Sequence, residues 1–102
     1  MKKTQVLQGL NLISTYSTVI IEMNETDEVK NLLDLINNFH QIFIEKYYFI
    51  QGYLYIETKI PFLWREASKY LQKLENGKIS YEKCKTYIVE TLIKQRVSSM
   101  ST

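Results

Sequence analysis

A chain of 102 residues and 12.2 kDa holds one domain's worth of sequence, since domains commonly run to roughly 100–150 residues. Its 45% hydrophobic, 13% aromatic and 24% charged residues exclude a disordered chain, its single proline and 3 glycines exclude a linker, and its net charge of +2 falls short of a dedicated nucleic-acid binder. One cysteine and one histidine exclude an internal disulfide, a multi-thiolate zinc site and a His-pair metal motif.

Met1-Lys2-Lys3 and the uncharged stretch that follows to Ile21 imitate a signal peptide's basic start. Polar residues such as Gln5, Gln8, Asn11, Ser14 and Thr15 interrupt that stretch, and Ala67 is the only alanine, so a secretory core and its small-residue cleavage site are both missing. The uncharged run Tyr47–Ile56 falls far short of the ~20 residues that span a bilayer. The expectation is a cytoplasmic protein, in the host cytoplasm if viral, with Cys84 reduced and no membrane contact.

Thr18-Val19-Ile20-Ile21-Glu22-Met23 is short and β-branched, which predicts a strand. Upstream, Val6–Ile13 fits either a second strand, forming a hairpin around Ser14–Ser17, or a short helix; the strand is preferred. Asn24 is placed to cap a helix whose first turn carries Glu25, Asp27 and Glu28. Val29, Leu32, Leu33, Ile36, Phe39 and Phe43 recur at steps of three and four, predicting a helix over about 25–45. Tyr47–Thr58 is the densest β signal, and Gly52 inside it predicts a bulge or a tight turn. Pro61 opens the next helix; Leu63, Ala67, Tyr70, Leu71 and Leu74 form its stripe, and Asn76-Gly77 supplies a left-handed stop. Ser80 caps a last helix over 80–96, with Ile79 stapling onto Cys84, a buried face of Tyr81, Cys84, Ile88 and Leu92, and Lys94 and Arg96 in its final turn. Residues 97–102 are expected to be a flexible tail.

These elements predict a small α+β domain over residues 1–96. Val19-Ile20-Ile21-Glu22 matches Leu54-Tyr55-Ile56-Glu57 at an offset of 35, and the helix stripes Val29/Leu32/Leu33/Ile36 and Ala67/Tyr70/Leu71/Leu74 match at 38. The pattern suggests a duplicated strand–helix unit, about 16–45 and 53–76, packed about a pseudo-twofold axis with a groove where the units meet, although any strand followed by an amphipathic helix gives a similar pattern.

Catalytic equipment is sparse. His40 has no second histidine, cysteine or carboxylate pair spaced to work with it and reads as a packing or surface residue. Cys84 lies on an apolar helix face, where free cysteine acts as a small hydrophobe. Glu22, Glu25, Asp27 and Glu28 suit a helix start better than a metal. No enzyme, cofactor or metal is expected.

Two binding surfaces compete. Seven of the eight tyrosines fall from Tyr47 onward, and tyrosine is favoured at protein contacts because it buries much area and keeps a polar handle. Tyr48, Tyr53, Tyr55, Trp64 and Tyr70 are the expected partner-binding residues, on a strand edge and groove able to take an extended peptide. The alternative is a nucleic-acid-binding regulator. Residues 1–60 carry five lysines against seven acidic residues, and residues 61–102 eight basic against four acidic. Arg65, Lys69 and Lys73 form a ridge, continued by Lys78 and Lys83, that could lie against phosphates.

Short length, near-absence of alanine, richness in Ile, Tyr and Lys, and the doubled Val-Ile-Ile-Glu/Leu-Tyr-Ile-Glu pattern resemble the small orphan proteins of filamentous viruses of hyperthermophilic archaea, the Acidianus viruses in particular. The resemblance implies a non-enzymatic protein of two similar motifs with a peptide-binding groove between them. A small protein of a bacteriophage or another AT-rich mobile element fits as well. The functional expectation is therefore a protein–protein interaction module of a virus or mobile element, with a protein or peptide partner and a homodimer as a further option.

Overall fold

The computed structural model describes residues 3–8, 16–39 and 43–100. β1 (Thr4–Gln8) and β2 (Ser17–Glu22) pair antiparallel; of the turn expected around Ser14–Ser17, Ser14 and Thr15 lie outside the described residues and Ser17 is already in β2. α1 (Asp27–Phe39) follows, then β3 (Lys46–Ile50) and β4 (Tyr53–Thr58), which form a second hairpin. α2 (Pro61–Glu75) and α3 (Tyr81–Met100) complete the described chain. The strand expected over Val6–Ile13 is found as β1 over Thr4–Gln8, residues 9–13 lying outside the described residues, and Tyr47–Thr58 divides at Gln51-Gly52 into two strands.

β2 and β4 join the hairpins by pairing antiparallel, from Ser17↔Thr58 to Glu22↔Tyr53, so the sheet runs β1-β2-β4-β3. The result is a small α+β domain with a four-stranded antiparallel sheet and three helices, whose radius of gyration, 13.1 Å, is that of one compact unit of about 100 residues. Because side chains alternate along a strand, Val19, Ile21, Leu54 and Ile56 turn to one face. They are fully buried in one cluster with Val29, Leu32, Leu33 and Ile36 of α1, Leu63, Trp64, Ala67, Leu71 and Leu74 of α2, and Cys84, Ile88 and Leu92 of α3. The helical stripes read from the sequence are therefore the packed faces, with Tyr70 and Tyr81 only half-buried and the Phe39 side chain outside those described. Each buried Leu or Ile contributes roughly 1.5–3 kcal/mol relative to exposure.

Several boundaries differ from expectation. α1 begins at Asp27, and Thr26 caps it: its Oγ1 accepts the Val29 N–H at 3.2 Å. Asn24 comes too early, because the Met23 N–H still donates to the Gly52 carbonyl (3.0 Å) and holds the chain against the sheet; the Asn24 amide donates to Glu75 instead (3.4 Å). α1 ends at Phe39, short of 45; Phe43 and Ile44 enter the core from an irregular segment. His40 lies outside the described residues. α3 continues to Met100, so the helix extends past 96 into the segment expected to be a tail, and Lys94 and Arg96 do not occupy its last turn. Ser80 does cap it, accepting the Lys83 N–H at 3.2 Å.

The stop between α2 and α3 is a Schellman turn. Gly77 (φ 74°) lets the Lys78 N–H reach the Lys73 carbonyl (2.8 Å) and its own N–H reach the Leu74 carbonyl (3.1 Å). At the other hairpin, Gln51 (φ 48°) and Gly52 (φ 83°) make a two-residue turn with both residues left-handed, whose twist matches that of the flanking strands. Among the described residues, the two buried polar side chains are satisfied, Ser68 Oγ donating to the Arg65 carbonyl (2.8 Å) and Thr58 Oγ1 accepting the Ile60 N–H (3.0 Å), while the buried Oδ1 of half-buried Asn37 has no hydrogen-bond partner.

Trp64 fastens α2 to the segment after α1. It is fully buried, and its indole Nε1–H donates to the Phe43 carbonyl at 2.6 Å. Trp64→Phe keeps most of the apolar contact and removes that bond, so a loss of about 1–3 kcal/mol is expected in urea unfolding. Trp64→Ala, which also leaves a cavity, should cost about 3–5 kcal/mol.

Candidate interaction face

All three helices contribute to the cluster on one side of the sheet, and no described element covers the other side. The uncovered face is set by the register. On it, Ile20 of β2 stands opposite Tyr55 of β4, Tyr55 opposite Tyr48 of β3, and Tyr53 opposite Ile50. Tyr48, Ile50 and Tyr53 are 37%, 49% and 41% exposed, so three of the six exposed large hydrophobic side chains among the described residues adjoin on this one surface. Contiguous apolar exposure of this kind marks interaction sites, whereas scattered single residues do not.

The rings of Tyr48 and Tyr55 are stacked, with centroids 5.1 Å apart and planes 9° from parallel. That separation is close to the ~4.8 Å between neighbouring strands, so the rings stand up from the sheet with their faces against each other. Charge enters at the margins. Lys46 Nζ lies 3.3 Å from Glu57, its cross-strand neighbour, and the Glu22 carboxylate accepts the Lys3 backbone N–H at 3.3 Å.

Of the expected partner-binding residues, the structure brings Tyr48, Tyr53 and Tyr55 together. It does not bring the other two. Trp64 is sealed in the core, because α2 turns the face bearing Trp64 and Ala67 towards the sheet. Tyr70 is half-buried in the helical layer, stacked on Tyr87 of α3 (4.9 Å) with the Lys69 ammonium 5.2 Å from its ring centre. Between the two units where the groove was expected, β2 and β4 pair directly and make one continuous sheet. Sequence reasoning missed Ile20 and Ile50. Ile20 sits between Val19 and Ile21 and Ile50 follows Tyr47-Tyr48-Phe49, so no polar residue next to either betrays the alternation.

The alternative cationic residues Arg65, Lys69, Lys73, Lys78 and Lys83 are all exposed on α2, α3 and the turn between them. Lys69 lies 4.0 Å from Glu66, and Lys85, beyond the ridge, pairs with Glu82 at 3.2 Å. A shallow depression of about 250 Å³ runs along Ser80, Glu82, Lys83, Thr86 and Tyr87 on α3, away from the tyrosine face. Among the described residues no group of three or more His, Cys, Asp or Glu is placed to hold a metal ion, and no helix is long and apolar enough to cross a membrane. Comparison with protein-family models, curated proteins and solved structures finds no match for the chain.

Two groups behind the face are held neutral. Burial pushes the Cys84 thiol up to about 12, with the charge of Glu28 adding to it. Burial also raises the Tyr47 phenol, as does its donation to the Asp34 carboxylate of α1. Both folded values lie above those of the unfolded chain, so the stability linked to them is whole at neutral pH and is lost as pH climbs. Melting temperature followed by circular dichroism should be flat from pH 7 to about 8.5, then fall, and fall more steeply above about pH 10. Cys84→Ala should remove the earlier component, and an aromatic disulfide reagent should label Cys84 only on unfolding.

Proposed function

We propose that the chain is a non-catalytic protein–protein interaction module, of a virus or other mobile element, and that a protein or peptide partner docks on the open sheet face through Tyr48, Tyr53 and Tyr55 with Ile20 and Ile50. One observation carries this reading: the five side chains adjoin in register on a sheet face that no described helix covers. Phenol rings bury large areas at little conformational cost and keep a hydroxyl for the partner. A protein fits this face better than a single-stranded nucleic acid. Bases need ring faces lying open to stack upon, whereas Tyr48 and Tyr55 each have one face taken by the other, and Glu22 and Glu57 on the same sheet face repel phosphate.

A duplicated unit gives this face a rationale. A single offset of 35 maps Val19 and Ile21 onto Leu54 and Ile56, and Val29, Leu32, Leu33 and Ile36 onto Trp64, Ala67, Ser68 and Leu71, all of them buried. The offset of 38 read from the helix stripes puts half-buried Tyr70 on buried Leu32, whereas the offset of 35 serves strand and helix alike. Ile20 and Tyr55 are both paired across the sheet and 35 residues apart, so the pseudo-twofold axis would pass between them at the middle of the open face.

The test is affinity capture from host lysate, comparing wild type with Tyr53→Ala/Tyr55→Ala and with Lys69→Ala/Lys73→Ala. Each tyrosine change should cost no more than about 1 kcal/mol in stability. The expected result is a defined partner retained by wild type and the lysine variant and lost with the tyrosine pair, in low and high salt alike. Tight binding of duplex DNA that weakens steeply with salt and needs the lysines would transfer the function to the cationic ridge.

A further inference from the structure

We propose that the β3 edge of the sheet pairs with the β3 edge of a second copy of this chain, antiparallel about a twofold axis at Tyr48. This concerns the edge, not the open face, and holds whether or not the face has a partner. β3 is terminal in the sheet order, so one side of it meets no other described strand. The two-residue turn makes Ile50 and Tyr53 the pair that exchanges both backbone hydrogen bonds. By alternation Lys46, Tyr48 and Ile50 turn their backbone groups towards β4, and Tyr47 and Phe49 turn theirs out of the sheet.

Those outward groups fix the register of any antiparallel addition. Placing Tyr47 opposite Phe49 of the second copy, and Phe49 opposite its Tyr47, forms four hydrogen bonds and sets Tyr48 against its own copy in a non-hydrogen-bonded pair, the closer of the two pair types. Lys46 then faces Ile50, and no like charges oppose each other. The tyrosine stack selects a second copy as the occupant. One face of Tyr48 lies on Tyr55, and the other is turned to the free edge at the spacing of a neighbouring strand. A symmetry-related Tyr48 continues the stack into a ladder of four rings, Tyr55–Tyr48–Tyr48–Tyr55, and joins two open faces into one eight-stranded surface.

Five-residue edges bury little area, so the dimer should be weak. Sedimentation equilibrium from about 10 µM to about 1 mM should show the mass rising from 12.2 kDa towards twice that value. Tyr48→Lys and Tyr48→Glu should each weaken association roughly tenfold or more, and mixing the two should restore it, because residue 48 opposes itself. Circular dichroism melts confirm that each variant is folded. Tyr48→Cys should form a disulfide-linked dimer under mild oxidation, since opposed Cα atoms about 4.5 Å apart are within bridging distance. Gln5→Cys, exposed on β1 at the far edge, should not, and buried Cys84 should not compete. A wild type that stays monomeric at about 1 mM, a Tyr48→Lys variant that dimerises like wild type, or a cysteine at position 5 that cross-links as fast as one at 48 would each overturn the proposal.

Discussion

The pairing of β2 with β4 is the contact on which everything else in this molecule depends. Each hairpin alone is a two-stranded ribbon with one apolar face, and isolated ribbons are marginal in water. Joined through six residue pairs, they make a sheet wide enough for α1, α2 and α3 to bury Val19, Ile21, Leu54 and Ile56 together. The same pairing fixes what is left outside. Once those four residues point inward, Ile20, Tyr53 and Tyr55 must point outward, and Tyr48 and Ile50 follow through β3.

The tyrosine face and the buried core are thus two sides of one register. A slip of one residue between β2 and β4 would exchange them. Trp64 and Tyr47 hold the register from the helical side: one joins α2 to the segment after α1, and the other joins β3 to α1 through Asp34. Gln72 adds a third tie, its amide donating to the Glu22 carbonyl at 3.1 Å. These links cross between elements far apart in sequence, which is why the sheet is locked in one alignment although its outer face is open.

Local elements were legible in the sequence because their causes are local. Runs of β-branched residues, stripes at steps of three and four, Pro61, Ser80 and Asn76-Gly77 mark strands, helices, a start, a cap and a stop, and all are found there. Which strands pair was not legible, since partner choice depends on how faces fit after the elements exist; the expected groove gave way to a sheet for that reason. Trp64 misled because an amphipathic ring in the first turn of a helix fits a surface as readily as a core, and only the angle of α2 decides. Asn24 misled because capping preference says nothing about how far the preceding strand remains tied. Tyr48, Tyr53 and Tyr55 were recoverable because period-two alternation survives in any strand.

The loops separating the strands have a consequence for how the chain is made. β3 and β4 are joined by two residues and can zip together as they emerge, whereas β2 must wait through α1 and β3 for its inner neighbour. Until β4 leaves the ribosome, the first half of the protein presents the flank of a β-branched ribbon with nothing beside it. Nascent chains of this kind are most vulnerable to wrong strand exchange during that interval, so rapid completion of synthesis protects this fold more than slow, stepwise assembly would.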